Sequence, residues 1–484
     1  MNRLDAIARL RAGETWDVVI AGGGATGLYA ALDAASRGLR TLLVERGDFA
    51  CATSSRSTKL IHGGVRYLRQ GRPGLVRSAL RERTLLLKNA PDLVHPRDFI
   101  VPVFSVWEKF YYGTGLKLYD LLARGHQPRS SQVLSRDDTL AALPTLRPDR
   151  LAGGVRYCDG QFDDTALAVA FAHAATRHGA TVLNYAPVTG LLKAGGKVRG
   201  VAVRDEETGE TFEVKSRAVI NATGVFSDGF RRLDEPAATP SIAPSQGAHV
   251  VLPRDFLPGD TALMIPRTSD GRVLFCIPWH DCVLLGTTDT EVAEIAREPV
   301  PLAEEIGFLL EHAARYLSRA PVRADVLSTF AGLRPLVKAG PGPTSALSRD
   351  HVISISASGL VTIAGGKWTT ARKMAEDVVN RAVAHAGLSA AACRTASLPV
   401  PNPLPAMPGK PDDASVAAAA RDTMARTVED VLSRRSRLLY LDARAAAEAA
   451  PRIAATLAKA LGRDTAWQEE QVKSFRALAA RHLP

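Results

Sequence analysis

Residues 51–71, CATSSRSTKLIHGGVRYLRQG, carry many side chains that can take part in chemistry. They combine serine and threonine hydroxyls, lysine and arginine side chains, one histidine and three glycines, and they contain no acid. Hydroxyl and amide groups donate hydrogen bonds to phosphate oxygens, and cationic side chains balance the phosphate charge. The segment therefore predicts a phosphate-bearing ligand.

A glycine motif precedes this segment, in WDVVIAGGGATGLYAALDAASRGLRTLLVER at residues 16–46. It predicts a strand, a tight turn, a helix and a second strand. Gly22 allows the turn, Gly24 lets the backbone approach a pyrophosphate, and Gly27 lets the helix pack closely on the strand. The helix N-terminus offers free N–H groups to phosphates, and Glu45 is placed to bind ribose hydroxyls. The pattern indicates a site for NAD or FAD, and the acid argues against NADP.

Two features favour FAD over NAD. A polar loop follows the second strand, where the pyrophosphate, ribityl chain and ring of a flavin would pass. In that loop Thr53, Ser54 and Ser55 can donate to phosphate, and the glycines at 63–64 allow close approach of a flat ring. A second glycine turn at the start of a helix is predicted in GLVTIAGGKWTTARKMAEDVV, residues 359–379, far along the chain. An NAD domain would not need this distant segment.

The amino-acid composition limits the classes of binding partner that this chain can have. The formal net charge is +11 and the sequence pI is about 9.6, which fits phosphorylated small molecules, acidic lipid or nucleic acid. The basic run has no interleaved aromatic platform after Tyr67, which argues against nucleic acid. The five cysteines are scattered without a C-x-x-C pair, so we expect no metal site and a reducing compartment. We expect neither a signal peptide nor a membrane span. The sequence leaves the oligomeric state open, a homodimer included.

Several motifs resemble one family. GGGATGLYAALDAASRGL, CATSSRSTKLIHGGVRYL, GQFDD, INATG, GTTD, GLRPL and AGGKWTT occur in the order found in the FAD-dependent glycerol-3-phosphate dehydrogenases. The resemblance extends from residue 16 to about residue 445. It implies hydride transfer from C2 of sn-glycerol 3-phosphate to flavin N5, with dihydroxyacetone phosphate as product and quinone as the electron acceptor. It also implies a cytoplasmic protein attached peripherally to the inner face of the cell membrane. Relatives that use oxygen, or that oxidise another polyol phosphate such as erythritol phosphate, are the alternatives.

We therefore predict an α/β fold. It comprises a Rossmann-like FAD-binding domain of the glutathione-reductase or D-amino-acid-oxidase type, a mixed-sheet substrate domain and a small C-terminal helical domain. The expected ranges are 14–105, 150–240 and 345–395 for the FAD-binding domain, 106–149 and 241–344 for the substrate domain, 396–411 for a proline-rich linker, and 412–484 for the helices.

The resemblance also implies site residues. Without the resemblance, the segment around His249 would favour a histidine buried in the core. With the resemblance, His249 is the expected base for the C2 hydroxyl proton. Arg334 lies between Leu333 and Pro335, where an unpaired charge would be costly, so we expect it to meet an anion and to polarise the new carbonyl. The expected substrate pocket contains Arg66, Tyr67, Thr287, Arg349 and Lys367. Cofactor contacts are further expected at Ala25, Thr26, Arg46, Thr53, Ser54, Ser55, Lys59, Leu60, His62, Gly63, Val188, Ala222, Thr223, Gly224, Gly366, Lys367 and Thr369.

Overall fold

The computed structural model describes residues 1–64, 71, 73–123, 127–338, 350–403 and 407–484. Its α-helices are α1 (Arg3–Arg11), α2 (Ala25–Ser36), α3 (Pro73–Asn89), α4 (Val106–Ala123), α5 (Arg136–Ala142), α6 (Asp164–Arg177), α7 (Ser227–Asp234), α8 (Ala303–Ala314), α9 (Ala371–Ala386), α10 (Asp413–Asp422), α11 (Leu438–Leu441), α12 (Ala443–Leu461) and α13 (Thr465–Ala480). Its strands are β1 (Trp16–Ala21), β2 (Thr41–Val44), β3 (Leu60–Ile61), β4 (Val94–Val103), β5 (Gln132–Leu134), β6 (Gly153–Phe162), β7 (Thr181–Leu183), β8 (Val188–Ala194), β9 (Lys197–Arg204), β10 (Thr211–Asn221), β11 (Ile242–Pro253), β12 (Ala262–Ile265), β13 (Leu274–Trp279), β14 (Cys282–Gly286), β15 (Thr290–Glu291), β16 (Ser328–Val337), β17 (His351–Ile355) and β18 (Val361–Gly365).

The first sheet has the order β17-β18-β10-β1-β2-β7, and β9 and β8 extend it from β10. Strand β1 pairs in parallel with both β10 and β2, and β18 pairs in parallel with β10. Helices α2, α6 and α9 share a hydrophobic core with this sheet. Small residues dominate α2, which explains why nearly all of it is buried. The predicted α/β fold is confirmed, with parallel strands at the centre of this sheet and antiparallel pairing at strands β9 and β17.

The second sheet has the order β15-β11-β14-β13-β12-β4-β6-β3, with β16 paired to β11 and β5 paired to β6. Strand β11 joins it through antiparallel ladders with β14 and β16, so residues 242–253 lie between two neighbours. The observed limits differ from the expected ones, because β4 and β6 belong to this sheet and not to the first. Their long mutual ladder and the pairing of β4 with β12 hold them there.

The C-terminal part is helical, as predicted. Residues 396–403 and 407–411, in the described part of the expected linker, contain no helix or strand. Beyond them, α10 to α13 enclose a core of their own. Between α10 and α11, Thr427 and Asp430 form a reciprocal cap, with hydrogen bonds of 3.1 and 3.0 Å. A π-helical turn follows this cap, at Asp430–Arg435.

That turn joins the helical part to the first sheet through a buried ion cluster. Asp48, in the loop after β2, accepts hydrogen bonds from Arg434 Nε at 2.7 Å and from Arg435 Nη1 at 2.8 Å. All three side chains are buried. Burial alone would raise the pKa of Asp48, but Arg435 and Arg434 outweigh it and hold that pKa below its ordinary value. The carboxylate therefore stays charged and ties the C-terminal helices to the segment that follows Glu45.

Replacing Asp48 by alanine should loosen this junction. Arg435 would lose its carboxylate partner and Arg434 would lose one of its three, and breaking a buried ion pair typically costs about 3–5 kcal/mol. We expect the apparent Tm to fall by several degrees and proteases to cut residues 396–411 faster. The matched control is Asp413→Ala, which removes an exposed partner of Arg452 and should change neither measurement. A wild-type Tm for Asp48→Ala would contradict this role.

Candidate active site

The turn after β1 brings three backbone segments together. A Cβ atom at Gly22 would lie 2.6 Å from the carbonyl oxygen of Ala222, and one at Gly27 would overlap the carbonyl oxygen of Gly22. Gly22 also has a positive φ of 111°, which favours glycine. A Cβ at Gly24 would meet the hydroxyl of Ser54, at 3.1 Å. Gly22 and Gly27 are thus required by contacts within the protein, whereas Gly24 keeps open the space before α2.

That space is a first cavity of about 280 Å³. Predicted cofactor residues from four separate parts of the chain surround it: Gly22, Gly24, Ala25, Thr26, Glu45, Arg46, Thr53, Ser54, Val188, Ala222, Thr223, Gly224, Gly366 and Lys367. The N-terminus of α2 opens on it, so unpaired helix amides and the positive end of the helix dipole favour phosphate there. The donor set and the glycine-bounded space fit a dinucleotide.

Glu45 is held in place by the same turn. Its Oε2 accepts a hydrogen bond from Gly23 N at 2.6 Å, and its Oε1 accepts one from Gly47 N at 2.8 Å. Both oxygens keep further acceptor capacity for a ribose hydroxyl. The neighbouring Arg46 guanidinium lies 3.9 Å from the centre of the Phe226 ring, which fixes it over the same side of the cavity.

The hydroxyl segment, residues 53–59, is bound mostly to protein groups. Ser54 Oγ accepts a hydrogen bond from Ala25 N at 2.9 Å, and Thr53 Oγ1 donates to Leu333 O at 2.7 Å. Both residues line the first cavity. The buried Ser55 does not line it, and its hydroxyl donates to a carbonyl of its own turn. The prediction that all three hydroxyls face the cofactor is corrected for Ser55, because a tight 3₁₀ turn directs that side chain inward.

Lys59 and Gly63 also differ from their predicted roles. The fully buried Lys59 ammonium donates to both carboxylate oxygens of Asp164, at 2.8 and 2.7 Å, and to the carbonyl of Ser55. Its three N–H groups are therefore used within the protein, and it lines neither cavity described here. A Cβ at Gly63 would lie 2.6 Å from Leu80 Cδ2, so packing between protein segments requires this glycine.

A second cavity, of about 290 Å³, adjoins the first. The two share the wall formed by Thr53, Pro335, Gly365, Gly366, Lys367 and Trp368. Predicted site residues in the second cavity are Leu60, His62, His249, Thr287, Arg334, Lys367 and Thr369. Trp368 Nε1 donates to Ser54 O at 3.0 Å, and Thr369 Oγ1 accepts from His62 N at 3.2 Å. Two glycine-bearing segments far apart in the sequence thus meet at one place.

His249 is buried on β11 beside this wall. Its ring stacks on Phe330 with centroids 4.8 Å apart, and Nε2 lies 2.9 Å from Thr58 Oγ1. Nδ1 has no hydrogen-bond partner among the described residues. Burial, followed by the charges of Lys59 and Arg334, lowers the pKa of His249 well below its usual value. The imidazole is therefore neutral at neutral pH.

Arg334 is held by partners within the protein, whereas the sequence predicted that it would meet a bound anion. Its Nη2 donates to Thr288 O at 2.9 Å and to Thr287 Oγ1 at 3.2 Å, and its Nη1 lies 3.3 Å from an Asp289 oxygen. An internal carboxylate therefore supplies the counter-charge that was expected from a bound anion. The guanidinium still lines the second cavity, about one-fifth exposed and oriented by these partners.

Four charged residues of the second cavity had no predicted role in binding substrate: Arg56, Asp159, Arg272 and Asp289. Arg272 pairs with Asp270 through Nη2 at 2.6 Å, while its buried Nη1 has no hydrogen-bond partner among the described residues. It belongs to a short turn before β13, where no motif distinguishes it. The predicted residues Arg66, Tyr67 and Arg349 lie outside the described residues.

Two glycine substitutions should separate cofactor binding from folding. Gly24→Val should give a folded protein that does not retain flavin, because the added methyl groups enter the space before α2. Gly27→Val should prevent folding, since its Cβ overlaps the Gly22 carbonyl. Visible absorbance per mole of protein and circular dichroism measure the two effects. A flavin-loaded Gly24→Val protein would contradict the placement of the cofactor.

Comparisons with known proteins identify the family of this chain. A family model described as FAD dependent oxidoreductase matches residues 17–372, and one described as the C-terminal domain of alpha-glycerophosphate oxidase matches residues 410–471. The mitochondrial glycerol-3-phosphate dehydrogenase of Bos taurus is 40% identical over 98% of this chain and 74% of its own length. The Homo sapiens enzyme is 40% identical over 95% of this chain and 72% of its own length.

Solved structures of related proteins share the fold of this chain. The X-ray structure of the glycerol-3-phosphate dehydrogenase from Bacillus halodurans, complexed with FAD, is 25% identical and superposes with a TM-score of 0.80 over 100% of this chain and 98% of that one. The FAD-bound L-alpha-glycerophosphate oxidase of Mycoplasma pneumoniae, 20% identical with a TM-score of 0.60 over 78% of this chain and 96% of that one, shares the fold. This chain belongs to the family of FAD-dependent glycerol-3-phosphate dehydrogenases, and FAD is its cofactor.

Proposed function

We propose that this chain oxidises sn-glycerol 3-phosphate to dihydroxyacetone phosphate. The observation that carries the proposal is the wall at Gly366–Lys367 that the two cavities share. A dinucleotide in the first cavity and a small phosphorylated molecule in the second would meet there. The second cavity has arginine and lysine side chains for a phosphate and a neutral imidazole for a proton, which suits an alcohol that carries a phosphate group.

FAD would be held by the turn at Gly22–Gly27, by Glu45 and by the small residues at 222–224. When bound, it supplies the two-electron acceptor for the hydride that leaves C2 of the substrate. The chain's own contribution is to present N–H donors to the pyrophosphate and to keep Lys367 at the border of the two cavities.

Cationic side chains of the second cavity would bind the substrate phosphate. Arg272 and Lys367 both line this space. A phosphate oxygen would gain charge-assisted hydrogen bonds from such side chains. Arg66 and Arg349, proposed from the sequence, would add to this group. Holding the phosphate fixes the position of C2 and shortens the path of the reaction.

His249 would accept the proton of the C2 hydroxyl. Its ring lines the second cavity, and the lone pair of the ring nitrogen that faces this space would act as the base. Its low pKa keeps this lone pair available at neutral pH. Arg334 would stabilise the negative charge that develops on the C2 oxygen, because its carbonyl and carboxylate partners already orient it.

Anaerobic addition of substrate tests the proposal directly. Glycerol 3-phosphate should bleach the visible absorbance of the flavin-loaded protein in the absence of oxygen. If only another polyol phosphate bleaches it, the substrate belongs to a related class. If no polyol phosphate bleaches it, the proposed activity is refuted.

Arg334→Met should lower kcat/KM for glycerol 3-phosphate. The corresponding activation free energy should rise by about 2–4 kcal/mol, as is typical when a desolvated charge partner is lost. Flavin content should not change, because Arg334 does not line the first cavity. The control is Arg315→Met, since Arg315 is exposed and pairs with Glu311 on α8. Steady-state kinetics measures the effect, and wild-type values for Arg334→Met would refute its role.

We further propose that electrons pass to a membrane quinone and that the outer face of α4 contacts an acidic lipid surface. Trp107, Phe110 and Leu121 on this helix are 82%, 68% and 70% exposed, and neighbouring α3 exposes Arg77 and Arg81. Exposed aromatic side chains beside basic ones suit the interface of a bilayer. No helix in the described ranges has an apolar stretch long enough to cross a membrane.

The double substitution Trp107→Ser and Phe110→Ser should weaken sedimentation with vesicles of anionic lipid at least roughly tenfold, because two large apolar side chains would be lost from the interface. Leu4→Ser is the control, as Leu4 is 80% exposed on a different helix, α1. Equal binding of both variants and the wild type would contradict the lipid contact.

A further inference from the structure

Asp159 places a carboxylate in the cationic second cavity. Of the described residues that line this cavity, two carry carboxyl groups, Asp159 and Asp289. Asp289 lies 3.3 Å from Arg334 and also accepts a hydrogen bond from Ser245, so it belongs to the arginine that it orients. Asp159 pairs with Arg83, which does not line the cavity. The presence of the Asp159 carboxylate in a cationic cavity is therefore not explained by pairing with a cavity arginine.

Two buried side chains hold the Asp159 carboxylate. Arg83 Nη1 donates to Oδ1 at 2.7 Å, and the Tyr119 hydroxyl donates to Oδ2 at 2.8 Å. Burial, followed by the charge of Asp159, raises the pKa of Tyr119 well above its usual value, so the phenol keeps its proton and acts as a donor. Neither Arg83 nor Tyr119 lines the second cavity. The carboxylate is thus fixed from behind, with lone pairs still available.

The surroundings of Asp159 are otherwise apolar. Tyr157 lies two residues earlier on β6 and on the same side of the strand. Its ring stacks on Phe99 with centroids 5.3 Å apart, and Phe275 packs against Phe99 at 5.9 Å. All three rings line the cavity. The carboxylate would repel a phosphate dianion, and the aromatic wall would solvate it poorly. An uncharged hydroxymethyl group could donate a hydrogen bond to the carboxylate and pack its carbon against the rings.

We infer that Asp159 accepts a hydrogen bond from the terminal hydroxyl of the substrate and so selects polyol phosphates over their deoxy analogues. The inference rests on the proposed function, since it names the group that recognises the second end of the same substrate. Cationic residues would attract the phosphate and Asp159 would bind the opposite hydroxyl, so the substrate can enter in one orientation. Arg83 and Tyr119 are positioning residues for this carboxylate.

The test compares two substrates on purified, flavin-loaded protein. One is glycerol 3-phosphate, and the other is propanediol phosphate, in which a methyl group replaces the terminal hydroxymethyl group. The measured quantity is the ratio of their kcat/KM values, in which effects on the shared chemical step cancel. The wild type should prefer glycerol 3-phosphate by about 10- to 100-fold, as is typical of a hydrogen bond to a charged group. Asp159→Ala should reduce the ratio to within about threefold of unity.

Asp120→Ala is the matched control. Asp120 lies beside Tyr119 on α4 and accepts hydrogen bonds from Ser131, but it does not line the cavity. It should keep the wild-type ratio. If Asp159→Ala does not fold, Asp159→Asn replaces the charged acceptor by a neutral one, and its ratio should fall about three- to tenfold.

A wild-type ratio in a folded Asp159 variant, or a wild type that does not discriminate between the substrates, would overturn the inference while leaving the proposed oxidation in place. Failure of the wild type to oxidise either compound would instead refute the proposed function, and this inference with it.

Discussion

The structure depends on a close approach of backbone segments at the end of the first sheet. The turn after β1 contacts Ala222 at the end of β10, and α2 begins over the same turn. Glycine is required at Gly22 and Gly27 because a side chain at either position would collide with a carbonyl oxygen. This contact sets the position of the helix amides that would bind phosphate, and the first cavity lies where these segments meet.

Distant parts of the chain complete the cavity. Trp368 reaches Ser54 through a hydrogen bond, and Thr369 bonds to His62, so the second glycine turn is fixed against the hydroxyl segment. The C-terminal part of the chain also fixes a segment near the first cavity, because Arg434 and Arg435 bind Asp48 in the loop that follows Glu45. The residues that line the two cavities are therefore positioned by segments from both ends of the sequence.

The sequence predicted the parts of this site that depend on local spacing. The glycine turn, Glu45 and the Gly366–Lys367 segment lie at the first cavity because short motifs encode their backbone. Charge partners differ from the expected ones where the deciding residue is far away in the chain. Lys59 pairs with Asp164, and Arg334 pairs with Asp289, so neither needs an external anion for its charge. Arg272 and Asp159 had no motif, and they enter the site only because β6 and β13 fold against it.

The central claim is that FAD and a phosphorylated substrate meet at the wall shared by the two cavities. A crystal structure of the flavin-loaded protein with glycerol 3-phosphate tests it most directly. We expect the isoalloxazine ring beside the Gly366–Lys367 turn, with the substrate between that ring and His249. Density that places the ring away from this turn, or the substrate outside the second cavity, would contradict the account.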